Sequence, residues 1–339
     1  MKKHINIPIF IPHLGCPNDC VFCNQRSISG KRSFDESLVK REIEEALSTV
    51  SADADAEIAF FGGSFTGIDR ALMIRLLDTA QEFVEMRRVS SIRLSTRPDY
   101  ISREILEILL RYDVKNIELG IQSMDDRVLS ACHRGHTAED SEKACRLVKE
   151  YGFSLVGQMM TGLPLSTPEV EIMTAEKICE LSADGARIYP TMVFHRTELE
   201  NMAKRGKYTP PKLEDAISRT ASVLGVFVKN NVPVIKIGLH SGEALYSEDG
   251  ISLGAYHPAM GELVEGELYY YAEREALLPI ASEINGKKLF ISVCKGELSK
   301  AIGQKKKNSL RVISEFSLSS LRFCESENID KYSVRVNFS

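Results

Sequence analysis

From residue 5 to about residue 195, apolar runs of strand length alternate with amphipathic stretches of helix length. This is the pattern of βαβ units around a parallel sheet. It predicts strands near 6–11, 57–61, 91–95, 115–120, 153–159 and 185–190, and helices near 35–50, 69–86, 102–111, 125–150 (broken) and 168–182. An open doubly wound sheet and a partial barrel give the same alternation, so periodicity leaves the choice between them open. Pro98 ends the third strand because its ring removes a backbone donor. Ser102 stands where its hydroxyl would cap the helix carrying Ile105 and Leu109.

Past residue 215 a helix reaches about 230, and residues 232–237 read as a further strand. A loop rich in Gly and Ser then carries His240, Tyr256 and His257. From 287 the pattern is strand (288–294), short helix (297–302), a lysine-rich turn, helix (309–316), strand (321–324) and a final alternating strand (332–338). We therefore expect a large α/β domain over 1–235 and a smaller α+β domain over 236–339.

The composition, 43% apolar and 27% charged over 339 residues, suits a globular protein with a large core. A net charge of −4 excludes a globally basic field for nucleic acid, so any RNA contact must come from a local patch. Of eight cysteines, Cys132, Cys145, Cys179, Cys294 and Cys324 are scattered. That argues against a disulfide framework and for a reducing, cytoplasmic setting. No leader pattern opens the chain and no apolar run approaches 18 residues, so no membrane association is expected.

The remaining three cysteines lie together in His13-Leu14-Gly15-Cys16-Pro17-Asn18-Asp19-Cys20-Val21-Phe22-Cys23, a CxxxCxxC spacing. Three soft thiolates on one loop suit iron–sulfur chemistry. Such clusters usually take four cysteines, so three leave one iron open for a ligand. A structural zinc site completed by His13 explains the same residues.

CxxxCxxC after a first strand resembles the radical S-adenosylmethionine (SAM) superfamily. The resemblance implies a partial (β/α)6 barrel in which Cys16, Cys20 and Cys23 hold a [4Fe-4S] cluster. In that family SAM chelates the fourth iron and is cleaved to a 5'-deoxyadenosyl radical. Further motifs follow in family order. Phe60-Phe61-Gly62-Gly63-Ser64 resembles the glycine-rich motif that receives the methionine amino group, although a glycine pair at a strand end is also a plain tight turn. Thr96-Arg97-Pro98-Asp99-Tyr100 resembles the radical SAM domain of the Elongator catalytic subunit. Where that family carries a ribose-binding glutamate this chain has Ser95, a shorter hydroxyl. Gln122, at the end of the fourth strand, and Arg134, twelve residues on, resemble the residues that contact the SAM ribose and carboxylate. Gln158 to Pro164 resembles the Gly-Leu-Pro loop of the coproporphyrinogen oxidase branch, and residues 186–208 resemble Elongator again.

The resemblance thus implies an enzyme acting on RNA, with tRNA favoured and a reductant such as flavodoxin or ferredoxin. A porphyrin-directed enzyme of the coproporphyrinogen oxidase type and a non-catalytic cluster or haem chaperone are the alternatives. No stretch resembles the acetyltransferase domain of Elongator. No catalytic acid or base is assignable, and His133 and His136 read as loop-packing residues.

In the smaller unit, the βααβ order with Gly303-Gln304-Lys305-Lys306-Lys307 between the helices resembles a KH module, whose GXXG loop clamps a nucleic-acid backbone. Lys306 stands in place of the second glycine. Gly303, Lys305, Lys306 and Lys307 are therefore candidate RNA contacts, against the simpler reading of a solvated lysine turn.

Overall fold

A computed structural model describes residues 4–16, 20–25, 29, 33–51, 53–239, 243–246, 248 and 250–338. His240 lies outside these. The chain alternates β1 (His4–Phe10), α1 (Val39–Ser48), β2 (Asp55–Phe61), α2 (Arg70–Glu85), β3 (Ser91–Thr96), α3 (Arg103–Leu109) and β4 (Val114–Gln122). It continues through α4 (Asp126–Ala131), α5 (Ala138–Glu150), β5 (Ser154–Thr161), α6 (Pro168–Glu180) and β6 (Gly185–Pro190). All six predicted strands are present. The predicted break in the fourth helical stretch is the loop between α4 and α5, where His133 and Gly135 take positive φ. Ser102 caps α3 as expected, its Oγ accepting from Ile105 N at 3.3 Å.

Next come β7 (Met192–Phe194), α7 (Glu198–Lys204), α8 (Leu213–Lys229), β8 (Val234–Ile237) and β9 (Ile251–Gly254). The main sheet is parallel and in sequential order, β1-β2-β3-β4-β5-β6-β8, the architecture of a partial barrel. Side chains alternate across it. One face presents Ile7, Ile9, Ile58, Phe60, Ile92, Leu94, Ile117, Leu119 and Ile188 to the helices. The helices answer at helical spacing, as with Met73, Leu76, Leu77, Ala80 and Phe83 of α2. The opposite face is polar at Glu57, Arg93, Glu118, Gln158 and Arg187.

An 18-residue helix that the sequence pattern does not predict, α9 (Met260–Leu277), links this core to a second one. The second core is built by β10 (Lys288–Cys294), α10 (Leu298–Ile302), α11 (Lys307–Glu315), β11 (Ser320–Ser326) and β12 (Val334–Phe338). Here β11 runs parallel and β12 antiparallel to β10. Among the described residues no helix is long and apolar enough to cross a membrane, and all eight cysteines are free thiols.

Candidate cofactor site

The cysteine loop leaves the C-terminal end of β1 and folds onto the end of β2. Ser64 N donates to Leu14 O at 2.9 Å, and His13 N to Gly62 O at 3.3 Å. Two glycines permit this approach. A Cβ on Gly63 would fall 2.3 Å from Leu14 O, and one on Gly15 would fall 2.2 Å from Ser64 O. The pair expected to admit a ligand thus first admits the backbone of the cysteine loop itself. Ser64 is buried, and its hydroxyl is committed to Thr96 Oγ1 at 2.8 Å and Arg97 N at 3.2 Å.

Cys16 is exposed, Cys20 buried and Cys23 half-buried. Burial, reinforced by the neighbouring Cys20 and Cys16, pushes the Cys23 thiol up to about 12; desolvation and the neighbouring Cys20 push Cys16 up. Each therefore keeps its proton near neutrality until a metal displaces it. Among the described residues, no three His, Cys, Asp or Glu side chains form a ready-made site for a single ion. His13, the residue that would complete the zinc reading, accepts from Gln25 N at its Nε2, 3.2 Å away. Cys132, one of the scattered cysteines, comes within electrostatic range of Cys20. It is sealed among Val21, Val128, Leu163 and Leu199, and burial pushes it up to about 12.

Arg134 and Gln122 come together at the end of β4. Arg134 Nη1 reaches Cys20 Sγ at 3.3 Å, while its Nη2 donates to Gly120 O. The register slips between Gly120 and Gln122, and Gln122 takes a φ of 67°. A Cβ on Gly120 would lie 2.9 Å from Gln122 Nε2 and 3.4 Å from Arg134 Nη2, so the glycine clears room for both side chains. Gln122 Oε1 is buried without a partner. His136 is buried beside these groups, 3.9 Å from Asp99 Oδ1. Burial and the Arg134 charge push its imidazole down to about 4, so it is neutral at physiological pH.

Below the strand ends lies a charged layer that the sequence reading missed. Glu57 accepts from Arg93 Nε at 2.7 Å and from Ser91 Oγ at 2.8 Å. Glu118 takes Arg93 Nη1 at 2.9 Å and Arg187 Nη2 at 3.0 Å. Gln158 bridges Glu118 Oε2 at 2.8 Å and Ser95 Oγ at 3.2 Å, so the residue expected near the ribose is tied to this layer. The signal was present as polar residues at alternate positions of apolar strands, Arg93 in Ser91-Ile92-Arg93-Leu94 and Glu118 in Ile117-Glu118-Leu119.

In the second core, Gly303 has a φ of 77°, and Lys305 and Lys306 have φ of 53° and 62°. Lys306 therefore holds the glycine-like backbone of the position it occupies. Asn308 Nδ2 donates to Gly266 O at 2.7 Å and Ala301 O at 3.1 Å, fixing the turn to α9. Gly303, Lys305 and Lys307 line a cleft of about 440 Å³ between the turn, α8 and α9.

Residues 10–176 match the family described as the radical SAM superfamily, and residues 183–270 match the radical SAM C-terminal domain. A tRNA uridine(34) acetyltransferase of Methanocaldococcus infernus is 32% identical over 206 residues, 55% of this chain and 39% of that protein. An uncharacterized protein of Methanocaldococcus jannaschii is 30% identical over 220 residues, 61% of this chain and 67% of that protein. The structure of M. infernus Elp3 with an N-terminal deletion superposes with a TM-score of 0.63 at 26% identity, covering 82% of this chain and 64% of that one. The chain spans only 27–39% of the length of three acetyltransferases that it matches.

Proposed function

This chain belongs to the radical SAM superfamily, and on that premise we propose that it is an enzyme that modifies tRNA. Cys16, Cys20 and Cys23 would hold a [4Fe-4S] cluster, with Gly62, Gly63, Ser64, Ser95, Gln122 and Arg134 around SAM. When bound, the cluster supplies an electron that cleaves SAM and yields a 5'-deoxyadenosyl radical able to abstract hydrogen.

The observation that carries this reading is the contact of Arg134 Nη1 with Cys20 Sγ at 3.3 Å, on the loop that carries the other two thiols. A guanidinium on a thiolate ligand lowers the cost of adding negative charge there. The unpartnered Gln122 Oε1 is an acceptor held ready for a donor such as a ribose hydroxyl. Thr96 and Ser64 tie the ends of β2 and β3 together, which keeps the two strand-end loops in register around that pocket.

Support for tRNA as the substrate comes from the relatives, whose names include a tRNA uridine(34) acetyltransferase and Elp3. The lysine turn at 303–307 supplies a local cationic surface on a chain of net charge −4. In a reducing cytoplasm, where eight free thiols persist, a flavodoxin or ferredoxin would deliver the electron. The test is the modified-nucleoside profile of tRNA from cells with and without the protein. Loss of a modified nucleoside in its absence is expected; an unchanged profile removes the tRNA assignment.

A further inference from the structure

We propose that Arg97 is a second anion-holding residue of the thiol pocket, its Nη1 donating to the anionic group bound there, either a sulfur of the cluster or the carboxylate of SAM. This rests on the cluster reading above. Arg97 carries five donors in one rigid plane. One edge is filled: Nε and Nη2 each meet a carboxylate oxygen of Asp99 at 2.9 Å. Nη2 also donates to Arg134 O. Nη1 is buried and has no acceptor.

The side chain is 4% exposed, so water cannot routinely serve that nitrogen. A buried charged donor left unpaired is costly enough that folded sites normally provide an acceptor. The surroundings indicate its chemistry. Arg134, whose carbonyl Arg97 holds, donates to Cys20 Sγ at 3.3 Å, so the guanidinium is one residue removed from a cysteine of the motif. The Arg97 backbone N is anchored on Ser64 Oγ at 3.2 Å, which hangs the guanidinium from the glycine-rich strand end. Asp99 offsets the charge on one edge and leaves the other for a ligand.

The experiment compares anaerobically reconstituted wild type, Arg97→Gln and Arg97→Lys. An EPR-monitored redox titration without SAM gives the cluster midpoint potential, and equilibrium binding gives the affinity for SAM. If a cluster sulfur is the acceptor, Arg97→Gln moves the potential to more negative values, because a cation that favours the reduced state is lost. If the carboxylate is the acceptor, the potential holds and SAM binding weakens about tenfold or more. Arg97→Lys keeps the charge but loses the fork to Asp99, so it retains most of what Arg97→Gln loses. Wild-type values in both variants, or equal shifts in both, overturn the inference, the latter because a purely structural strut would fail alike in each.

Should Arg97→Gln not fold, pulsed EPR of the reduced, SAM-bound wild type with ¹⁵N-guanidino arginine decides. Couplings from two arginines are expected, one surviving Arg134→Lys; a single coupling that vanishes in Arg134→Lys overturns the assignment. A wild type that takes up no cluster fails the reading beneath; an intact cluster indifferent to Arg97 fails this inference alone.

Discussion

Arg134 shows how much one side chain can organise. Its guanidinium joins Cys20, from the loop after β1, to Gly120 on β4, and its carbonyl receives Arg97 from the loop after β3. Three strand ends are thereby fixed by one residue, as a guanidinium fork allows and a lysine does not. Glu273 is the opposite case. It is fully buried in α9, and neither carboxylate oxygen has a partner. Burial pushes its carboxyl up from 4.5 to about 9, with only Arg311 opposing. Below pH 4.5 both folded and unfolded chains hold this proton. Between 4.5 and 9 only the folded chain does, so stability falls as pH rises, by about 1.4 kcal/mol per pH unit. Glu273→Gln has no proton to lose. Its stability relative to wild type, read by urea unfolding, should therefore improve by about 4 kcal/mol from pH 5 to pH 8. A constant difference across that range would refute the protonated, unpartnered state.

At the scale of elements, the turn between α10 and α11 holds two consecutive lysines in left-handed backbone, at about 1–2 kcal/mol each. Such strain suits a site where side-chain chemistry matters more than stability. Lys306→Gly should relieve it and leave stability equal or up to about 1 kcal/mol higher, since glycine's extra unfolded-state freedom offsets part of the gain. The same change should weaken tRNA binding and reduce the salt slope by about one. Unchanged affinity and slope would place the turn away from phosphate. The βααβ order around this turn was legible because 332–338 alternates strictly and the two helices flank an obvious polar break. Helix α9 was not legible. It packs on α8 through one side and on the second core through another, burying Met260, Val264, Glu267, Tyr269, Tyr270 and Glu273 around its circumference. No single apolar stripe survives for periodicity to find.

Across the whole molecule, the sheet separates two kinds of interior. The helix-covered face is apolar, and the opposite face is sealed by the Glu57, Arg93, Glu118 and Arg187 layer. Removing one partner from such a layer leaves an uncompensated buried charge, so it gives specificity of arrangement more than net stability. Cys16, Cys20 and Cys23 and the glycine pair were readable because each is a contiguous motif whose spacing carries its chemistry. The placement of Arg97 and Cys132 beside them was not, because it arises only when the loop between α4 and α5 folds back over the cysteine loop, pairing Val21 N with Cys132 O at 3.2 Å. The central claim is that this pocket passes an electron to SAM. It is tested most directly by measuring 5'-deoxyadenosine formed from SAM by the anaerobically reconstituted, chemically reduced protein. Wild type should form it, and Cys16→Ala should lose cluster and product together. A wild type with an intact cluster and no 5'-deoxyadenosine would contradict the account.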